Sequence, residues 1–374
     1  MKAIGGVDER RLFLTTALAS QGQKRAALVI AALAAIGFAL AVPFARVPLV
    51  RLPAFIPGYE AALFFVDLIT ALLLFEQFVR LRLFSILVLA SGYLFDALLI
   101  IPHLLTFPGA FTPTGLLGAK EQTTAWLYVF WHGGFPLFVI AYALMRRRSR
   151  DAPILLVSNP YKAIFAATVT VAALAVGLAA LATAGHDFLP VVMQGSDYSL
   201  LVKKGVSPAV WLLTLAAMLL LWQRPLRIVD LWLMLVMWIW LFDIALAAVI
   251  GSSRFDLGFY VGRIFGLIAS GFLLIMLLGE MGRLYVGVLG AAADAERRYA
   301  ELARERTQKS IPKEQENPEN FVRRQNISHY RDLLAAGGID EKQRRSIERL
   351  LTEEEARLAD DANRQRGPGR KTPG

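Results

Sequence analysis

Long apolar runs alternate with short polar segments along the chain as far as Leu284. A run of about 20 apolar residues is long enough to cross a bilayer as an α-helix, whereas a core helix of a soluble protein is shorter and amphipathic. The pattern therefore predicts an all-α fold, a polytopic transmembrane helical bundle of about eight spans. The predicted spans are residues 25–45, 59–79, 83–101, 122–144, 161–182, 208–222, 229–250 and 260–284, of which the sixth is the shortest.

The polar remainder of the chain predicts a different kind of structure. A breaker-free stretch rich in Ala, Glu and Arg follows Leu284, so the last span is expected to continue as a cytoplasmic helix. Apolar residues at helical spacing on both sides of Gly337-Gly338 then predict a small helical hairpin, which is short for an independent domain. The predicted organisation is a cytoplasmic lead (1–24), the bundle (25–284), a helix and linker (285–319), the hairpin (320–360) and a disordered tail (361–374).

Charge predicts an orientation for the bundle. The chain has 40 Lys and Arg against 30 Asp and Glu, and mean hydropathy is +0.50. In a membrane protein such an excess is typical of orientation signals, so no nucleic-acid partner is expected. Basic residues concentrate at one set of span ends: Lys24, Arg25, Arg80, Arg82, Arg146, Arg147, Arg148, Arg150, Arg224, Arg227 and Arg283. The positive-inside rule therefore predicts a multi-pass protein of the bacterial inner membrane with both termini in the cytoplasm.

Ionisable residues inside the spans mark a candidate site, since each costs roughly 2.5 kcal/mol or more at mid-bilayer. At a helical rise of about 1.5 Å per residue, Asp67, Asp96, Asp243, Arg263 and His132 lie about 12, 8, 10, 5 and 15 Å below the outer surface. His103 lies at that boundary, and fewer such groups fall in the inner half. This bias predicts a hydrated pocket open to the outer side.

A polar stripe on the second span supports the pocket, because such a stripe turns toward the bundle interior or a cavity rather than toward lipid. It contains Glu60, Asp67, Thr70 and Gln77. The predicted sensing pocket comprises Asp67, Asp96, His103, Trp126, Trp131, His132, Asp243 and Arg263. The alternative for any of the charged residues is structural ion pairing, for example of Asp243 or Asp67 with Arg263.

Histidines raise the question of a cofactor. His103 and His132, with Asp96, offer imidazole and carboxylate ligands for a transition metal or haem. The estimated depths of the two histidines differ by about 15 Å, whereas a bis-histidine haem needs both rings at one level. No metal or haem is therefore predicted, and a hydrogen-bonding or pH-responsive role is favoured for the histidines. The chain has no cysteine, which excludes disulfides, thiolate metal sites and covalent haem attachment.

Several motifs resemble a known family. They read DLITALLLFEQF (67–78), GYLF (92–95), IPHLLTFPGAF (101–111), GLLG (115–118) and WLYVFWHGGFP (126–136). The stretch is similar to the fourth type of bacterial membrane-associated sensor domain, the MASE group. The resemblance implies a multi-helix membrane input that is usually joined to a histidine-kinase or diguanylate-cyclase output. Nothing after Leu284 resembles either output, so the chain is not expected to be an enzyme.

These observations predict a sensory protein that detects a periplasmic or membrane-side stimulus and relays it to a cytoplasmic partner. The expected partners, besides the lipid bilayer, are a second copy of the chain or a separate histidine kinase, diguanylate cyclase or response regulator. The alternative is a small-solute or ion transporter that uses the buried Asp, His and Arg residues. Transporters usually show internal repeats and midplane sites, and the 92–136 pattern has no second copy in the later half.

Overall fold

The structure, a computed structural model, describes residues 17–148, 159–251, 253–310 and 318–365. Eleven α-helices are present in this part of the chain. They are α1 Gln21–Ala41, α2 Phe55–Leu81, α3 Phe84–Thr106, α4 Thr123–Arg148, α5 Pro160–Thr183, α6 Ser199–Lys203, α7 Val206–Leu221, α8 Ile228–Ile244, α9 Leu257–Ser310, α10 Pro318–Ala336 and α11 Glu341–Gln365. The chain divides into two compact units, one ending at Val286 and the other beginning at Gly287.

The predicted all-α membrane bundle is confirmed. Among the described residues, seven helices are long and apolar enough to cross a bilayer, and each lies on one of the predicted spans. The predicted sixth span is the exception in length, because α7 has only 16 residues. A π-helical turn, Ala245–Ile250, extends α8 to the end of the predicted seventh span. The first unit is therefore a multi-pass membrane bundle.

Helix boundaries follow local chemistry. Ser20 caps α1, because its hydroxyl accepts the backbone N–H of Gln23 while the Gln23 side chain accepts the N–H of Ser20. Asn159 caps α5 in the same way, with Pro160 in the first helical position. Between α2 and α3 the chain reverses through Arg82, whose φ of 55° closes the turn. Its side chain donates to the Val79 carbonyl.

Helices α3 and α8 form the centre of the bundle. α3 packs between α2 and α4, α7 packs between α4 and α8, and α1 lies against α8. Glycine permits the closest approach, since a Cβ on Gly134 would lie 2.2 Å from the Phe95 ring and one on Gly92 would lie 2.8 Å from Phe138. α1 and α5 are the most exposed spans, so they form the lipid-facing rim.

Segments 45–54, 107–122, 184–198 and 253–256 meet at one end of the bundle, called the loop end below. Backbone hydrogen bonds tie them together: Leu49 donates to Phe255, Leu257 donates to Val47, and Arg254 donates to Ser196. The Gln122 side chain bonds the backbone of Val192 and Met193. These contacts make the loop end an ordered cap. The opposite end, where α2 meets α3 and α7 meets α8, is called the turn end.

The second unit contains the end of α9 and a helical hairpin. Helix α9 runs without interruption to Ser310. Helices α10 and α11 form the hairpin, with Gly337 and Gly338 at φ values of 67° and 91° in its turn. Ile327 is its buried apolar residue, and Arg323 forms an ion pair with Asp361. Residues 1–16 of the predicted lead, 311–317 of the linker and 366–374 of the tail lie outside the described residues.

Candidate ligand site at the loop end

The residues of the predicted pocket are buried within the first unit. Asp67, Asp96, His103, Trp131, His132, Asp243 and Arg263 are each less than 9% exposed. Trp126 differs from them, since it is half-buried and its indole N–H donates to the Pro190 carbonyl at 2.9 Å. Trp126 therefore helps to hold the loop 184–198.

Each of the two predicted histidines meets a carboxylate. His103 Nδ1 lies 2.9 Å from Oε1 of Glu60, which the second-span stripe had included. His132 Nε2 lies 3.2 Å from Oδ2 of Asp243, and its Nδ1 lies 3.1 Å from the Tyr128 carbonyl. Because a carbonyl can only accept, Nδ1 of His132 carries a proton. A hydrogen bond to Asp243 then requires a second proton, on Nε2 or on the carboxyl group.

The two histidines lie closer together than their estimated depths indicated. The Trp131 ring contacts both, at centroid distances of 5.7 Å to His103 and 4.5 Å to His132. The predicted difference of about 15 Å between the depths of the two histidines is therefore wrong. The prediction assigned about 1.5 Å of depth to each residue, which applies only to helices perpendicular to the bilayer. Among the described residues, no three His, Asp or Glu side chains gather as a metal site would require.

Asp67 and Asp96 form a separate group with Tyr93. Both carboxylates are fully buried, and none of their four oxygens has a hydrogen-bond partner among the described residues. The Tyr93 hydroxyl lies within electrostatic range of both and is also unpartnered. Ser270 approaches Asp67, and Trp131 approaches Asp96. The structure thus brings these two predicted residues together.

Arg263 does not form the ion pair that the sequence offered as an alternative. Within the described residues, no carboxylate lies within ion-pair distance of its guanidinium group, and Asp243 pairs with His132 instead. The Arg263 guanidinium carbon lies 4.4 Å from the Phe259 ring centroid and 5.1 Å from that of Tyr128. The charge is therefore held against aromatic faces.

A cavity of about 40 Å³ lies beside these groups at the loop end. Its polar lining consists of His103, Thr124, Tyr128, Tyr198, Arg254 and Arg263. The hydroxyl groups of Tyr128 and Tyr198 are buried without a hydrogen-bond partner among the described residues. The guanidinium carbon of Arg254 lies 5.1 Å from the Phe107 ring centroid. Of the predicted pocket residues, only His103 and Arg263 line this cavity.

Two ionisable groups at the cavity, Arg254 and Tyr198, have shifted pKa values. Burial, and then the nearby Arg263 charge, lower the pKa of Arg254 to about 10. Burial and the Asp256 carboxylate raise the pKa of Tyr198. The predicted pocket contains neither group, because it was built from ionisable residues inside the predicted spans. The Arg254-Phe255-Asp256 segment between two predicted spans was the available signal.

A buried ion pair at the turn end was also missed. Arg146 and Asp230 pair while both are nearly inaccessible, and the Tyr142 hydroxyl donates to Asp230 at 2.9 Å. Arg146 had been assigned to the orientation signal alone. Glu76 and Arg80 form an exposed ion pair on α2.

The comparisons agree with the motifs. The family model described as "membrane-associated sensor, integral membrane domain" (MASE4) matches residues 50–285, which is more than half of the chain. The match contains the cavity and all eight predicted pocket residues. No curated protein and no solved structure shows significant similarity to the chain.

Proposed function

The chain belongs to the family of membrane-associated sensor, integral membrane domains, and from this premise we propose that it is a sensory input protein with its stimulus site at the loop end. The proposal assigns the loop end to the outer side of the bacterial inner membrane and both termini to the cytoplasm. The C-terminal unit passes the signal to a partner, without catalysis by this chain.

One observation carries the proposal: the His132–Asp243 pair lies against the helix that leaves the bundle. A Cβ on Gly262 of α9 would lie 2.9 Å from Asp243 Oδ1, and one on Gly266 would lie 3.0 Å from Oδ2. A change in charge or position of this carboxylate therefore acts directly on α9. Because α9 continues to Ser310, a shift of the bundle between two states has a continuous helical route out of it.

The π-helical turn supports the same assignment. Ala245–Ile250 begins two residues after Asp243, and Ala247 and Ala248 line the cavity. Single π-helical turns cost regular hydrogen bonds and are frequent at functional sites. A ligand in the cavity would thus contact the segment that joins Asp243 to the loop end.

The signalling output is tested by co-purification from membranes. Two differently tagged full-length copies of the chain are expressed together with a separate histidine kinase, diguanylate cyclase or response regulator. We expect capture of the second copy or of one of these partners. Ile327→Asp, which places a charge in the hairpin's buried position, should reduce that capture. Absence of both self-association and partner capture would contradict the signalling role.

Transport is the alternative outcome. It predicts that proteoliposomes containing the protein take up a small solute or ion, and that Asp67→Asn changes the rate. Sensing predicts no uptake above that of empty liposomes. Uptake that depends on Asp67 would replace the proposed function with transport.

A further inference from the structure

The chemistry of the loop-end cavity identifies a class of ligand. Its charged lining residues, Arg254 and Arg263, are cations, and no Asp or Glu is among the described residues that line it. The hydroxyl groups of Tyr128 and Tyr198 add two buried donors that have no partner among the described residues. Buried polar groups are normally satisfied, so these unpaired donors indicate a ligand that supplies acceptors.

Within the described residues, no carboxylate lies within ion-pair distance of the Arg254 or Arg263 guanidinium group. Asp243 pairs with His132, while Asp256 accepts the backbone N–H groups of Ser253 and Phe259. Glu121 accepts the backbone N–H of Gly195. The Arg254 guanidinium group donates to the Met193 sulfur at 3.4 Å, and sulfur is a weak acceptor. Two cations thus line one small cavity, and an anion between them relieves their repulsion.

We propose that the loop-end cavity binds a short-chain carboxylate anion, of the size of formate or acetate, between the guanidinium groups of Arg254 and Arg263. A guanidinium group presents two parallel N–H donors that match the two oxygens of a carboxylate. The hydroxyl groups of Tyr128 and Tyr198 donate to the same oxygens.

The size of the cavity sets the length of the ligand. One buried water needs about 10 to 15 Å³ of cavity volume. A cavity of about 40 Å³ therefore holds only a few non-hydrogen atoms. Formate and acetate meet this limit. A carboxylate with a four-carbon chain would have to displace Phe107 or Phe259, which line the cavity.

The assignment rests on the proposed function in one respect, because it makes this anion the stimulus. Arg263 belongs to α9, and the π-helical turn contributes Ala247 and Ala248 to the cavity. Anion binding therefore draws together Arg254 of the loop and Arg263 of α9.

Binding is tested with full-length protein in lipid nanodiscs. Sodium formate, acetate, butyrate and chloride are titrated at constant ionic strength, held with sodium HEPES, while tryptophan fluorescence and the apparent melting temperature are recorded. We expect saturable effects of formate and acetate, and affinities at least roughly tenfold weaker for butyrate and chloride. No saturable effect of formate or acetate, or equal binding of chloride, would overturn the assignment.

Variants locate the site. Arg254→Gln and Arg263→Gln should each weaken acetate binding roughly tenfold or more, because each removes a charge-assisted hydrogen bond. Arg263→Lys keeps the charge without the planar fork and should also weaken binding. Lys203→Gln is the matched control, since it removes an exposed positive charge from the same end of the bundle and should leave affinity unchanged.

Conservative variants test the same site with little change to the packing of the protein. Tyr128→Phe and Tyr198→Phe remove only the unpartnered hydroxyl groups, and each should weaken acetate binding by roughly threefold to tenfold. Acetate affinity that stays at the wild-type value in both tyrosine variants and in Arg254→Gln would contradict this site. Failure of carboxylate binding with intact partner capture would overturn only the ligand, whereas loss of partner capture would overturn the proposed function.

Discussion

Buried carboxylates in the bundle differ in what surrounds them. Asp230 has Arg146 and the Tyr142 hydroxyl as partners, whereas Asp67 has no hydrogen-bond partner among the described residues. An aspartate that is ionised in water must be buried either as a charge or after taking up a proton, and both cost free energy of folding. The two residues should therefore respond in opposite ways to the same substitution.

Asp67→Asn should raise the free energy of unfolding by about 1 kcal/mol or more, because it keeps the shape and removes the ionisable group. Asp230→Asn should lower it by about 3 kcal/mol, because it removes the carboxylate that pairs with the buried Arg146 charge. Apparent melting temperatures in nanodiscs measure both changes. A fall in the melting temperature of Asp67→Asn as large as that of Asp230→Asn would contradict this description of Asp67.

The sequence predicted the burial of these ionisable residues but not the partners that they contact. Ionisable groups in a membrane span are costly, so their presence at positions such as Asp96 and Asp243 pointed to the bundle interior. The pairs of His103 with Glu60 and of His132 with Asp243 depend on how helices tilt and rotate against one another. Arg254 carried no such signal, because a charge in a loop has no insertion cost.

The contact of α8 with α9 depends on small residues at four-residue spacing. Gly258, Gly262 and Gly266 face the end of α8 and the π-helical turn, where an added Cβ on Gly262 would lie 2.9 Å from the Ala247 Cβ. Glycine is used here for close approach of two backbones rather than for an unusual φ. The same helix also contains Gly271, around which an added Cβ would meet nothing within 4 Å.

Gly262→Ala should therefore lower the free energy of unfolding by about 1 to 3 kcal/mol, as overpacking does in other cores. Gly271→Ala is the matched control on the same helix, and should raise it by up to about 1 kcal/mol through helix propensity. Thermal unfolding of both variants in nanodiscs provides the comparison. Equal stabilisation by the two substitutions would show that α8 and α9 are not closely packed at Gly262.

Helix positions were predictable because a bilayer demands long apolar segments with every backbone group bonded internally. The ordered loop end was not. Its contacts, such as Gln122 with Met193 and Leu257 with Val47, join residues far apart in the chain. Hydropathy cannot report such contacts, since it scores each residue by type and carries no information on which distant residues meet. Hydropathy was also less decisive for α7, because its 16 residues are fewer than an ordinary span contains.

Orientation of the whole molecule is open to a direct chemical test, since the chain contains no cysteine. Lys203 and Tyr299 are both exposed, one at the loop end and one on the part of α9 beyond Gly287. In intact spheroplasts, a membrane-impermeant maleimide should label Lys203→Cys directly. It should label Tyr299→Cys only after the membrane is permeabilised. The reverse pattern would contradict the orientation set by the positive-inside rule.

Sensing also requires that the loop end and the C-terminal unit respond to each other. Amide hydrogen exchange of residues 291–306 in nanodiscs measures this coupling, by comparison of wild-type protein with Asp243→Asn and with the control Lys203→Gln. Exchange at 245–250 reports the local effect of each substitution. The proposed function predicts that Asp243→Asn changes exchange in both segments and Lys203→Gln in neither. A change at 245–250 with exchange at 291–306 identical to wild type would contradict it.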